Sequence, residues 1–219
     1  MIPLAADIQS ALFDPINWVL YLFVAVNYGS IEWLSIFHYW LASAFMYLFL
    51  RDLKLGRAAA LAGGVAFAFC GFMIAHLGHL PMIPVASWLP LSLLCLRRAY
   101  VTSGLGGWAW SIGAGLSMAM AFFAGDAQIF SYRLLAIGLL CLVLLCDTQP
   151  FTYKNAAAWA AKGFVAVLVL FGLSAMQLLP SLELSSQSVR SSISYEEASA
   201  YSDQPITLLN LLLPRVYGS

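Results

Sequence analysis

Long runs of apolar residues constrain this chain more than any other feature of its sequence. A helix needs about 20 residues to cross a hydrocarbon core of about 30 Å, and six runs reach or approach that length. They are Ile31 to Leu50, Ala58 to Ala75, Met82 to Leu96, Trp108 to Ala124, Ala127 to Cys146 and Ala156 to Leu179. The run from Met82 is short and needs Leu80 and Pro81 before it to cross. The sequence therefore predicts an all-α, polytopic transmembrane helix bundle of about six spans.

The composition points to the same class of protein. Hydrophobic residues make up 62% of the chain and charged residues 9%, with a mean hydropathy of +0.86. A water-soluble domain could not hide this much apolar surface in one core, so the expected partner is a lipid bilayer. The ten basic and ten acidic residues cancel, and this balance gives no support for nucleic acid as a partner.

The basic residues orient the predicted spans. Lysine and arginine are enriched in cytoplasmic loops, and alternating spans place seven of them on one side and three on or near the other. The first group is Arg51, Lys54, Arg57, Arg97, Arg98, Lys154 and Lys162, and the second is Arg133, Arg190 and Arg215. The first side is therefore predicted to be cytoplasmic. Eight of the ten acidic residues fall on the outer side.

Three regions follow from this reading. Residues 1–30 are predicted to be an outer segment with an interfacial half-helix over Trp18 to Tyr28, which is about half the length of a span. Residues 31–179 form the predicted transmembrane bundle. Residues 180–219, rich in serine and charge, form an extracytoplasmic segment with short helices, one capped by Ser194 and Glu197 and one begun by Pro205.

Two stripes of small residues predict close helix packing. Such residues, three or four positions apart, let helix backbones approach each other in lipid. The stripes are Ala60, Gly64 and Ala68 on one span, and Gly113, Ser117, Ala121 and Gly125 on another.

Polar residues at the outer ends of the spans are the candidates for function. An ionisable group at membrane depth is a functional hypothesis, although one at a span end can equally cap a helix or meet water. The collection contains Asp7, Asp14, Glu32, His76, His79, Asp126, Gln128, Glu183 and Arg190.

The histidine pair has several possible uses. His76 and His79 are three positions apart and could share a helix face that suits a metal, a phosphate or a proton relay. A zinc site would need a third or fourth ligand. No metal site or cofactor is therefore predicted, and a divalent metal is left open.

The turn Gly125-Asp126-Ala127-Gln128 separates two long apolar runs. Asp126 could act as a general base or hydrogen-bond a substrate together with Gln128, and it could equally be a plain turn residue, since Gly and Asp favour turns. Arg133 lies about two turns into the following span. It could bind a phosphate in an outer cavity or form a structural ion pair with an acid such as Asp126.

Four segments carry a resemblance to a known family. They are PLAADIQSALFDPINW, LRDLKLGRAAALAGGVAFAFCGFMIAHLGHLPMIPVASWLPLSL, GDAQIFSY, and QLLPSLELSSQSVRSS followed by LLNLLLPRVYG. In this order they resemble the bacterial YfhO-type membrane proteins, which are integral-membrane glycosyltransferases of the GT-C type. The resemblance implies a multi-pass protein of the bacterial cytoplasmic membrane. It also implies transfer of a sugar from a polyprenyl-phosphate carrier to a cell-wall polymer acceptor outside the cytoplasm.

The resemblance also sets expectations for the site. GT-C enzymes place a catalytic acid in their first large outer loop, and no matching segment is found here, so the chain is expected to be a fragment. Asp126, Asp7 and Asp14 are then the weak candidates for the catalytic acid. Arg190 or Arg133 is expected to hold the departing phosphate.

Two other functions compete with this one. A transporter or flippase for lipid-linked substrates should have polar groups along a path at the midplane and inverted repeats, and the sequence shows no such repeat. A non-catalytic membrane subunit or remnant would leave the outer polar residues without a substrate.

Overall fold

The computed structural model describes residues 4–147, 152–188, 194–200, 202, 205–211 and 213, and these residues form helices and connecting turns with no β-strand among them. A short 3-10 helix, Ile8–Ser10, precedes the α-helices. The α-helices are α1 Pro15–Phe23, α2 Tyr28–Asp52, α3 Arg57–Ala68, α4 Gly71–Ala75, α5 Met82–Ser87, α6 Leu89–Val101, α7 Gly104–Phe123, α8 Ala127–Asp147, α9 Tyr153–Ser186 and α10 Tyr195–Ser199. A second 3-10 helix covers Pro205–Leu211.

Within the described residues, four helical stretches are long and apolar enough to cross a membrane. They are Tyr28–Asp52, Arg57–Ala75, Ala127–Cys146 and Asn155–Ser186. Four of the six predicted spans are thus confirmed in length and composition. Association with a lipid bilayer is what such helices indicate.

The other two predicted spans are helical but do not meet the same requirements. Met82 to Leu96 is interrupted at Trp88, between α5 and α6, and Pro90 lies in the first turn of α6. A proline there cannot continue a hydrogen-bonded helix from the preceding residues. α7 is 20 residues long, but its many glycine, serine and tryptophan residues lower its hydropathy.

The half-helix predicted near the beginning is present, with shifted bounds. It is the nine-residue α1, which starts at Pro15 directly after its capping residue Asp14. It ends at Phe23 rather than Tyr28 because Asn27 forms a capping box with Ser30 and begins α2. The polar cap fixes where the next helix starts.

Small residues allow the closest helix contacts. Ala60, Gly64 and Ala68 are all buried, and a Cβ on Gly64 would lie 2.7 Å from the Ser43 carbonyl oxygen of α2. This confirms the first predicted stripe, because only a residue without a side chain fits between these backbones. α7 approaches α9 closely at Gly115, a residue outside the second predicted stripe, where a Cβ would lie 2.5 Å from the Ala166 carbonyl oxygen of α9.

An ion-pair cluster joins α2 to α6 at the end predicted to be cytoplasmic. Asp52 is 6% exposed and pairs with both Arg97 and Arg98. The Arg98 guanidinium also lies over the Trp110 ring, 5.9 Å from its centroid.

The chain divides into two compact units, residues 1–181 and 182–219. In the second unit Ser194 and Glu197 form the predicted capping box at the start of α10. The helix predicted after Pro205 is present as a 3-10 helix. Arg190 and Arg215 lie outside the described residues.

Candidate functional site

The segment before α1 is fixed against the end of the bundle predicted to be outer. From α9, Gln177 Nε2 donates a hydrogen bond to the Ile8 carbonyl (3.3 Å) and Ser181 Oγ donates one to the Ala6 carbonyl (2.9 Å). On the other side lies Gly125, whose φ of +99° and close approach, 2.7 Å from Ile8 O to a built Cβ, both require glycine. The turn at Gly125 therefore allows the segment before α1 to pack closely against the bundle.

Asp14 is held at the end of that segment and is almost completely buried, with 1% of its surface exposed. It caps α1, and its Oδ1 accepts a hydrogen bond from the Ile16 amide at 2.9 Å. Among the described residues no lysine, arginine or histidine forms a salt bridge with it. Burial raises the pKa of Asp14 to about 6, and the Ile16 hydrogen bond opposes this rise only in part.

Asp14 lines an outer cavity of about 170 Å³. Five other polar side chains border this cavity, namely Gln9, Ser10, Asn17, Tyr21 and Ser35. Asn17 lies one turn after Asp14 on α1, and its Oδ1 is buried without a hydrogen-bond partner. The outer cavity therefore combines a carboxyl, amides and hydroxyls, which are the groups that bind sugars and other polyols.

Arg133 is the second unusual group, because it is a cation buried within span α8 with 3% of its surface exposed. Its Nη2 donates a hydrogen bond to Ser92 Oγ at 2.8 Å. Its Nε and Nη1 have no partner, and its Cζ lies 5.8 Å from the Phe130 ring centroid. The predicted ion pair with Asp126 is not among the salt bridges of the described residues.

Arg133 forms part of the wall of a second cavity, of about 270 Å³, that is otherwise almost entirely apolar. Both cavities border the short helix α5, since Pro84 lines the outer cavity and Ala86 lines the Arg133 cavity. An arginine with unpaired N–H groups beside an apolar cavity favours an anion that arrives through lipid.

Two of the predicted acids serve as caps. Asp126 is buried, and its Oδ1 accepts a hydrogen bond from the Ile129 amide (2.7 Å) at the start of α8. Asp7 accepts one from the Gln9 amide at 3.1 Å and caps the first 3-10 helix. Neither is among the residues that line the outer cavity, so the structure favours the plain turn interpretation for Asp126.

The remaining candidates are dispersed. His76 Nδ1 donates to the Phe72 carbonyl at 2.8 Å, and its ring centroid lies 5.5 Å from that of His79. Gln128 is exposed and donates to Tyr132 Oη at 2.9 Å. Glu183 is exposed in the second unit. Arg190 lies outside the described residues.

Four polar residues that are buried or line the outer cavity were not identified from the sequence, namely Asn17, Tyr21, Ser35 and His38. Asn17 was recognisable, because it follows Asp14 by three positions on a short helix. Tyr21 and Ser35 carry no sequence signal, since each lies inside an apolar run. His38 is also hidden in such a run, and it is fully buried, with Nδ1 2.8 Å from the Leu34 carbonyl and Nε2 unpartnered.

The described residues contain no group of three or more histidine, cysteine, aspartate or glutamate side chains placed to hold a metal ion. Comparisons with known proteins identify no family, because no protein-family model matches the chain and neither a curated protein nor a solved structure matches it significantly.

Proposed function

We propose that this chain is part of a membrane glycosyltransferase that transfers a sugar from a polyprenyl-phosphate carrier to a cell-wall acceptor outside the cytoplasm. The observation that carries the proposal is the buried carboxyl of Asp14 in the wall of the outer cavity. The unpaired Arg133 beside an apolar cavity and the resemblance to YfhO-type proteins support it. The orientation derived from the basic residues places Asp14 on the outer side.

Asp14 is proposed as the general base. The acceptor hydroxyl oxygen attacks the anomeric carbon of the sugar, the bond between that carbon and the phosphate oxygen breaks, and the hydroxyl proton passes to Asp14. A base works best when its pKa lies near the operating pH, and the pKa of Asp14 is about 6. Asp14 is therefore ionised at neutral pH and more basic than an exposed aspartate.

Arg133 is proposed to hold the departing phosphate. A guanidinium presents several N–H donors to phosphate oxygens and stays charged in apolar surroundings. The Nε and Nη1 nitrogens, which have no partner, carry the N–H groups from which a phosphate would accept hydrogen bonds. A phosphate attached to a long isoprenoid can reach such a cavity from within the bilayer.

The test is sugar transfer by the purified full chain in proteoliposomes that contain a polyprenyl-phosphate sugar and a cell-wall polymer. Asp14→Asn keeps the shape and the capping acceptor but removes the base, so we expect the rate to fall about 100-fold or more. Asp7→Asn is the matched control, since Asp7 is also a capping aspartate and should keep nearly full activity. The wild-type rate should rise with pH through about 6.

Two results would overturn the proposal. One is an Asp14→Asn variant that keeps the wild-type rate. The other is a folded wild-type chain that transfers no sugar from any polyprenyl-phosphate donor, which would favour the non-catalytic subunit. Arg133→Lys, which keeps the charge but not the fork of donors, should raise the KM for the carrier more than it lowers kcat.

A further inference from the structure

A third cavity lies beside α2. It is a groove of about 1000 Å³ between α2 and the segment from Phe69 to Leu80. On α2 its lining residues run from Tyr28 to Tyr39, a distance of about 16 Å along a helix. That length is about half the thickness of a hydrocarbon core. The groove thus has the depth of one leaflet.

The groove has its charged side chain near its outer end, among apolar residues, and is apolar below. Glu32 and Ser35 lie in the part nearer the start of α2, whereas Ile36 and Ile74 line the deeper part. Its inner end includes Tyr39, whose Oη donates to the Met73 carbonyl at 2.7 Å and whose ring stacks on Phe69 at 5.5 Å between centroids. This gradient matches that of a membrane lipid, with a polar head above an apolar chain.

The groove continues into the outer cavity that contains Asp14. Ile31, Ser35 and Leu80 line both of them. A lipid whose chain lies in the groove would therefore have its head at the cavity where Asp14 lies. The groove and the outer cavity are therefore adjacent, and one molecule with both parts would contact both of them.

The charges of the groove select the kind of head. Of the described residues that line it, Glu32 is the charged one, and no lysine or arginine lines it. A carboxylate at the mouth disfavours a phosphate by like-charge repulsion and favours hydroxyl donors. His76 and His79 flank the lining residues Leu77 and Gly78 but do not themselves line the groove. The Arg133 cavity, with the opposite charge, shares no lining residue with the groove.

We propose that this groove binds the chain of a lipid-anchored acceptor whose head is uncharged and rich in hydroxyl groups, as in a neutral glycolipid. The head enters the outer cavity and presents a hydroxyl to Asp14. The assignment of this lipid as the acceptor rests on the function proposed above for Asp14. Binding of the lipid itself does not depend on sugar transfer.

The test measures lipid retention by the purified full chain in lipid nanodiscs, by native mass spectrometry. The probes are a monoglycosyl diacylglycerol, phosphatidylglycerol with the same acyl chains, and the diacylglycerol alone. Ile36→Trp fills the groove at a side chain that is 56% exposed, so it should not disturb folding. Leu139→Trp is the matched control, because Leu139 is 64% exposed on α8 and does not line the groove.

We expect the wild type to retain the glycolipid in preference to the other two lipids. Ile36→Trp should lose about tenfold or more of this retention, and Leu139→Trp should keep it. Glu32→Lys should shift the preference toward phosphatidylglycerol by about fivefold for each unit of charge changed. Equal retention of glycolipid and phosphatidylglycerol by the wild type, or no effect of Ile36→Trp, would overturn the proposal.

The same samples separate this inference from the proposed function. Asp14→Asn should retain the glycolipid while it fails to transfer sugar. If the wild type binds the glycolipid through Ile36 but transfers nothing, the groove assignment stands and the enzyme proposal fails. If the wild type glycosylates acceptors but Ile36→Trp does not impair the use of a lipid-anchored one, the groove assignment fails alone.

Discussion

Two buried aspartates at opposite ends of the bundle have opposite surroundings. Asp52, at the predicted cytoplasmic end, is 6% exposed and pairs with Arg97 and Arg98. Asp14, at the predicted outer end, is 1% exposed, and its carboxyl accepts one amide hydrogen bond. Both carboxyls are costly to bury, yet only Asp52 has cations to offset that cost.

The difference shows how burial alone misleads a search for function. A buried carboxyl that pairs with arginines from another helix has a structural explanation that needs no ligand. A buried carboxyl without a cation, beside a cavity lined by other polar groups, is explained only in part by its capping hydrogen bond, and such a group is the better candidate for catalysis. Arg97 and Arg133 show the same contrast for cations, since Arg97 pairs with Asp52 whereas two nitrogens of Arg133 have no hydrogen-bond partner.

The largest expected effect is on the paired carboxyl. Asp52→Ala leaves two arginines facing each other at the junction of α2 and α6, and we expect the free energy of unfolding to fall by about 3 kcal/mol. The value is set below that of a fully buried pair because Arg98 is 42% exposed. Unfolding of the detergent-solubilised chain by denaturant measures it. Arg98→Gln should lower the free energy of unfolding by no more than about 1 kcal/mol. An Asp52→Ala variant as stable as the wild type would show that the ion pairs of Asp52 do not stabilise the fold.

The unpaired carboxyl should respond in the opposite direction. The pKa of Asp14 is about 6 against an ordinary value of 3.8, so the folded state binds more protons than the unfolded state between those values. Its contribution to stability is therefore lost as the pH rises from about 4 to about 6. Asp14→Asn should stabilise the chain by about 2 to 3 kcal/mol at pH 8 and have little effect below pH 4.

The pH dependence is the sensitive part of this experiment. Thermal unfolding of the wild type and Asp14→Asn should give curves that converge at low pH and separate through the window from about 4 to about 6. A constant difference between them at every pH would mean that the carboxyl is not perturbed by burial. Asp7→Asn should show no separation, because Asp7 is only half-buried.

The sequence predicted the membrane-spanning helices better than the site. A run of about 20 apolar residues is long enough to cross a membrane, so its length alone predicts a span. The stripe of Ala60, Gly64 and Ala68 likewise predicts the face of α3 that contacts α2. The interruption at Trp88 was missed, because the hydrophobic run continues through it and only Pro84 and Pro90 signal the break. Hydrophobicity reports what faces lipid and not where a helix bends.

The site was harder to predict because its residues come from distant parts of the chain. Asp14 was identified as an outer acid, but nothing local shows that it is buried or that Ser35 of α2 and Pro84 of α5 border the same cavity. Arg133 was recognisable in the sequence as a charged residue inside an apolar span. Its hydrogen bond to Ser92, however, depends on how α6 packs on α8. Tertiary packing decides these contacts.

The smallest expected effect concerns a third buried acid, Asp126. Substitutions of Asp126 test whether burial alone or a position beside the outer cavity identifies the catalytic carboxyl. Asp126 is 7% exposed, and its Oδ1 accepts the Ile129 amide hydrogen bond at the start of α8. Asp126→Ala removes that cap, so the free energy of unfolding should fall by about 1 kcal/mol. For Asp126→Asn, which keeps an acceptor oxygen, the free energy of unfolding should fall by less than for Asp126→Ala. Both variants should transfer sugar at close to the wild-type rate.

A different result would move the site. If Asp126→Asn abolished transfer while the chain stayed folded, the base would lie in the turn that seats the segment before α1 and not at the cap of α1. Transfer measured beside Asp14→Asn at pH 8 decides between the two acids, because both variants keep their caps and only one removes the base. Loss of transfer in both Asp14→Asn and Asp126→Asn would indicate that the two carboxyls act jointly. Asp126 would then belong with Asp14, and not with Asp52, as a buried carboxyl used in catalysis.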